Sequence, residues 1–308
     1  MKRFAAYTIL VALISLIGFL LLDMFLLSFT HNGSYYSHEK NVGLAYHRLE
    51  ELKDTNKIVI IGGSNGGFSI NSELIHQAFN MPVVNTGTHA SIGVRMQFEI
   101  YKDLLRQGDI VIFCPEYHST IDRLYGGTTL FRILSTHLPQ AYCHISFLQW
   151  VYLQKYIGIY YTETKSSSNV TEFDGPYSYK AVNEYGDIAW DREHQDSIGN
   201  LKNFYGEIDD RIIAYYQYVH SYAEEKGVRL VFLPPTLIKK EYDLHIKQID
   251  SMIVCFQQNG IPWQSPPSRY SFPDSLYFDT PYHMTPSGAN LRTERMIEDL
   301  RRILKQPN

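Results

Sequence analysis

Three short, continuous apolar runs punctuate the chain: Lys57–Ile61 (KIVII), Asp109–Cys114 (DIVIFC) and Val228–Leu233 (VRLVFL). Each lacks polar alternation and is too brief for a helix, as a strand buried on both faces requires. Pro82–Asn85 reads as another strand and Ile261–Trp263 as a short fifth. Helical periodicity fills the spaces between them, at Asn71–Phe79 (capped by Ser69 or Asn71), Ile92–Gln107, Glu207–Lys226 and Lys239–Asn259. Pro286–Leu304 closes the chain as an amphipathic helix with proline in its first turn. Strands alternating with helices predict an α/β domain whose parallel sheet is covered on both faces. The rhythm breaks from about Ser119 to Gly206. This aromatic and polar stretch reads as an insertion of helices and loops over the active face, with Lys165–Asn169 (KSSSN) as an exposed loop.

The N-terminus follows a different pattern. Behind Met1-Lys2-Arg3, the segment Phe4–Leu22 runs nineteen residues without a charge, and Phe25–Phe29 extends it past Asp23. About twenty apolar residues cross roughly 30 Å of hydrocarbon as a helix. No A-x-A-like cleavage site follows, so an uncleaved signal anchor over residues 1–29 is expected. The basic cap stays inside, which places the remainder outside the cytoplasm, at a bacterial periplasm or cell surface. Residues 30–56 then form a stalk with a helix around Leu44–Leu52, and 57–308 the folded domain.

Composition removes several alternatives. A formal charge of −4 without any basic block gives no reason to expect nucleic acid. Three widely spaced cysteines make no C-x-x-C; they allow at most one bridge and leave a thiol over. Twelve histidines include no H-E-x-x-H and no close pair at ligand spacing, so neither a metal nor a cofactor is expected. The 24 tyrosines, dense between Tyr142 and Tyr222, suit either carbohydrate and amphiphile contact or plain packing.

Ligands of open α/β sheets bind beyond the carboxyl ends of the strands. The loops at Gly62–Gly67, Asn85–Ala90 and Asp279–His283 all fall on that rim. Ser64 stands among glycines where a buried strand turns into a helix, a place that can push a hydroxyl forward. A serine needs a base to become nucleophilic. His283, just before the last helix, is the candidate, with Asp279 four residues earlier to orient the imidazole. Asp274 is the reserve acid.

These blocks resemble those of the SGNH (GDSL-like) hydrolases, in the membrane-anchored branch similar to alginate O-acetylation proteins and the lipoteichoic-acid D-alanylation protein DltD. Gly-Gly-Ser64-Asn65 corresponds to the family's G-D-S, and Asp279 through His283, followed by Thr-Pro-Ser-Gly288, to its D-x-x-H and downstream glycine. The resemblance spans roughly Lys57 to Leu304. It implies a flavodoxin-like three-layer sandwich, a Ser-His-Asp triad of Ser64, His283 and Asp279, and an acyl-enzyme. The substrate class it implies is O-acyl, chiefly acetyl, esters of a cell-envelope or exported polysaccharide. A multi-span membrane O-acyltransferase is the implied partner where the reaction is transfer. Three positions depart from the family. The acid–base spacing is one residue longer. Ala90 replaces a glycine donor, with its own N–H or Gly87 as substitutes. Glu116 stands where the oxyanion-binding asparagine belongs, and it donates only when it carries a proton.

Two rival readings follow. Gly62-Gly-Ser64-Asn-Gly66 also satisfies the G-x-S-x-G nucleophile elbow of α/β-hydrolases, although that fold places several strands before its elbow. A degenerate, non-catalytic relative that binds glycan or scaffolds a membrane acyltransferase is the alternative from another class.

Overall fold

The computed structural model describes residues 2–28, 37–159, 162, 174–201 and 208–305. The expected loop at 165–169 lies outside the described residues. Among the described residues four strands form the central sheet: β1 (Ile58–Ile61), β2 (Val83–Asn85), β3 (Ile110–Phe113) and β4 (Arg229–Phe232). Their order is β2-β1-β3-β4 and every pairing is parallel. In register, Ile58 faces Val83 on one side and Ile110 on the other, while Ile110 faces Arg229.

The helices are α1 (Lys2–Ser28), α2 (Asn41–Glu51), α3 (Ser64–Ser69), α4 (Ser72–Phe79), α5 (Val94–Glu99), α6 (Ser119–Asp122), α7 (Thr128–Arg132), α8 (Phe147–Leu153), α9 (Asp210–Lys226), α10 (Lys239–Gln258) and α11 (Pro286–Ile303). Alternate strand residues feed two separate cores, because successive side chains on a strand point to opposite faces. Val59, Ile61, Val111 and Phe113 pack with α2, α5, α9 and α10. Ile58, Ile60, Ile112 and Val231 pack with α4 and α11. Helices on both faces explain why β1 and β3 are apolar throughout.

Where β1 and β3 enter the sheet, Lys57 and Asp109 form a wholly buried ion pair at 2.8 Å. The Asp109 carboxylate also accepts the backbone N–H groups of Lys57 and Arg106. A carboxylate that takes three donors satisfies much of what burial removes from it.

Several expectations are corrected. Ile261–Trp263 is not a strand. Pro262 has no N–H to contribute, and the side chain of Gln264 accepts the Phe232 N–H, so the ladder beside β4 stops at one backbone bond from Gln264 to Phe232. Instead Leu237–Ile238 (β5) pairs in parallel with Ser271–Phe272 (β6). The expected helix over Ile92–Gln107 is interrupted: α5 ends at Glu99 and a 3₁₀ turn covers Lys102–Leu104. Helix α2, in the stretch expected as a stalk, buries Val42, Ala45 and Leu49 in the main core. Within the Ser119–Gly206 stretch, Leu130, Phe131, Leu134 and Leu153 belong to that core. Tyr215 and Tyr216 pack inside as well and Tyr222, half-buried, packs against the same core, with Tyr216 stacked on Phe256 at 4.7 Å, so this part of the tyrosine cluster serves packing. All three cysteines are free thiols.

Helix α1 is continuous, and Phe4, Tyr7, Leu10, Leu13, Ile14 and Ile17 on it are exposed. Among the described residues no helix is long and apolar enough to cross a membrane. The expected span continues through residues 19–29, whose side chains lie outside the described set.

Candidate active site

A strand order of 2-1-3-4 sends the connections after β1 and β3 to different sides and leaves a crevice between their carboxyl ends. Ser64 is the first residue of α3, directly after β1, and it is partly exposed. Its neighbouring glycines serve closeness rather than unusual backbone angles. Gly63 has φ −88° and ψ −151°, and none of Gly62, Gly63, Gly66, Gly67 or Gly87 has positive φ. A Cβ on Gly63 would fall on the Glu116 carboxylate. At Gly87 it would come within 2.6 Å of Gly67 N, 2.7 Å of Gly66 Cα and 2.8 Å of Gly63 O. Those neighbours are all backbone and cannot rotate away. Gly87→Ala is therefore expected to cost about 1–3 kcal/mol, as overpacking does. A denaturant midpoint equal to wild type would contradict this.

The side chains expected as acid and base meet. His283 Nδ1 lies 2.9 Å from Asp279 Oδ1. A second donor, Tyr177 Oη, reaches Asp279 Oδ2 at 2.5 Å and stands 3.2 Å from His283 Nδ1. Burial is the largest influence on Asp279 and works against its charge. The hydrogen bond and positive charge of His283, with the bond from Tyr177, outweigh it and hold the carboxyl below its ordinary range. The reserve acid, Asp274, is exposed and pairs with Lys240 at 3.7 Å.

The imidazole stacks on Phe68, with ring centroids 4.0 Å apart and planes 9° from parallel. Phe68 is four residues after Ser64 on α3, so the two share a helix face about 6 Å apart along the axis. The loop is riveted to the same helix by Ser69, which donates to Tyr282 O at 2.6 Å and accepts from Met284 N at 3.1 Å. Ser64 and His283 nonetheless share no hydrogen bond. The Ser64 hydroxyl points to Glu116 Oε1 at 3.4 Å, a long contact.

Glu116 is fully buried; its Oε1 also accepts the Asn65 N–H at 2.9 Å, and its Oε2 has no hydrogen-bond partner among the described residues. Gly87, an expected donor, has its N–H engaged by Asn85 Oδ1 at 3.0 Å. Ala90 opens a 3₁₀ turn beside His89, and no described contact joins it to Ser64. The buried thiol of Cys114 below α3 is pushed up to about 11 by burial, which makes it a poor nucleophile. Among the described residues no cluster of acidic, histidine or cysteine side chains is arranged to hold a metal.

Three residues that hold the site together escaped the sequence reading, all in 174–201. Besides Tyr177, Asp187 accepts from Ser72 Oγ, Ser72 N and Asn85 Nδ2. Burial pushes its carboxyl up, opposed by those same bonds. Arg192, also buried, donates to the carbonyls of Phe68, Met284, Ile188 and Trp190, tying α3 to the His283 loop. Burial lowers its guanidinium to about 10, which leaves it a cation at neutral pH. No polar periodicity marks any of the three. The one available hint was that polar, aromatic residues crowd a region without helical or strand pattern. No protein-family model matches the sequence, and no curated protein matches it either.

Proposed function

We propose that the chain is a divergent SGNH-like serine esterase or O-acyltransferase, acting on O-acyl esters, acetyl foremost, of an envelope or exported polysaccharide. The observation that carries this reading is the Asp279–His283 pair at 2.9 Å, its ring seated on Phe68 one turn along the helix that opens with Ser64. The strand order, which begins the flavodoxin-like 2-1-3-4-5 series, and the placement of the serine after β1 support it. The N-terminal helix, apolar in sequence over Phe4–Leu22, supports a single-pass anchor with the domain outside the cytoplasm.

In this mechanism the Ser64 side chain turns about one torsion from Glu116 toward His283 Nε2; the 3.4 Å contact it leaves is weak. Catalytic bonds are often loose before substrate is bound. Ser64 Oγ attacks the ester carbonyl as His283 takes its proton, and Asp279 keeps the Nδ1–H side of the ring in place. His283 then gives that proton to the departing sugar oxygen. The acyl-enzyme is resolved by water in an esterase, or by a second sugar hydroxyl in a transferase, which would draw its acyl groups through a multi-span membrane acyltransferase. Within the second block, Ala90 N–H is the donor left to the oxyanion, since that of Gly87 is engaged.

The Ser64–Glu116 contact favours one other reading, a non-catalytic member whose serine is locked away and whose surface binds glycan or a membrane acyltransferase. A serine-reactive fluorophosphonate separates the two. The purified chain is expected to label, and Ser64→Ala to abolish labelling. Folded wild-type protein that stays unlabelled would favour the scaffold.

A further inference from the structure

The phenol that reaches the acid–base pair comes from the part of the chain read as an insertion. We propose that Tyr177 is a positioning residue of the active site, holding Asp279 and His283 in the tautomer and orientation that serve Ser64; this rests on the nucleophilic reading of Ser64.

The two carboxylate oxygens of Asp279 are divided between two partners, Oδ1 to His283 and Oδ2 to Tyr177. A phenol has one proton, and Tyr177 commits it to Asp279 at 2.5 Å. Its oxygen, 3.2 Å from His283 Nδ1, can therefore meet that nitrogen only as an acceptor. Nδ1 then carries the proton and shares it between Asp279 Oδ1 and Tyr177 Oη. Nε2 is left as the lone-pair nitrogen, which is the form a general base needs. The Tyr177 ring is itself fixed against Phe68, with centroids 5.2 Å apart, so Phe68, Tyr177 and His283 form one aromatic cluster.

Charge follows from the same geometry. A hydroxyl donated to a carboxylate disperses its negative charge and weakens the hold of that carboxylate on an imidazolium. The titratable and charged groups around His283 are Asp279 on its own loop, Tyr177 and Arg192 on 174–201, and Glu116 beyond Ser64. Among the described residues, Asp279 and Tyr177 are the ones that hydrogen-bond to its ring. Removing the phenol oxygen takes a short donor from Asp279 and only a long, 3.2 Å acceptor from Nδ1, so the carboxylate's hold on the imidazolium strengthens and His283 should keep its proton to higher pH.

The test is Tyr177→Phe in the full chain, followed by thermal unfolding, the pH dependence of kcat/KM for p-nitrophenyl acetate, and an NMR titration of His283. The acid limb and the His283 midpoint are expected to rise together by about one pH unit, the scale set by one hydrogen bond to a charged group. Replacing Tyr177 by 3,5-difluorotyrosine, a stronger donor of nearly the same shape, should move both the other way and covers the case in which the phenylalanine variant does not fold. A normally folded variant whose midpoint stays in place overturns the assignment. Turnover that survives Ser64→Ala overturns the nucleophile instead, and the NMR titration still judges Tyr177 in that event.

Discussion

Ser64→Ala is expected to lower kcat toward an acetyl ester by about 10⁴–10⁶ while leaving the fold unchanged, the range seen when a nucleophile of a catalytic triad is removed. The side chain is partly exposed, and its one described side-chain contact is the 3.4 Å bond to Glu116, so truncation removes little packing. His283→Ala should be as severe, and the double variant no worse than either, because the two act as one unit. Asp279→Asn should cost about 10⁴, since an amide in its place can stabilise the wrong imidazole tautomer. Steady-state assays on purified, folded variants decide the matter. A Ser64→Ala enzyme retaining more than about one part in a hundred of wild-type turnover is irreconcilable with the mechanism.

Asp109→Ala is expected to be the most damaging single change to stability, at about 3–5 kcal/mol, because it strands a buried ammonium. Lys57 Nζ has Asp109 as its ion-pair partner, and both side chains are fully enclosed where β1 and β3 enter the sheet. The same substitution also frees the N–H groups of Lys57 and Arg106. For a domain of this size the loss should lower Tm on the order of 10 °C. The double variant Lys57→Met, Asp109→Leu should recover much of that, since a hydrophobic pair has no charge to bury. Calorimetry giving equal Tm values for Asp109→Ala and wild type would refute the account.

The parts legible from sequence alone are those whose signal is local. KIVII, DIVIFC and VRLVFL became β1, β3 and β4 because burial on both faces demands continuous apolar runs. Asn71 caps α4 through its side chain, as its position before a helical pattern suggested. Asp279 and His283 came together because both lie in one loop anchored by a proline-led helix. What stayed hidden depends on distant partners. Tyr177 looks like one aromatic among many until Asp279 is folded against it. Arg192 acts on carbonyls, which carry no sequence signature. Glu116 was singled out, yet its hold on Ser64 and Asn65 comes from packing at α3. Strand β5 is two residues long, too short for any periodicity to mark. Helix α2 reads as part of a stalk because the stretch around it is polar, and the burial of Val42, Ala45 and Leu49 depends on distant partners in the core.

The rivet at Ser69 joins groups 215 positions apart, since its partner Met284 lies near the far end of the chain. A ribosome adding about 5–20 residues per second needs roughly 10–40 seconds to cover that distance. Throughout that interval the emerging polypeptide carries its serine without the imidazole loop. On the proposed mechanism any product terminated before residue 283 lacks its base, so premature stops and proteolytic removal of the C-terminus should give silent fragments in place of weakly active ones.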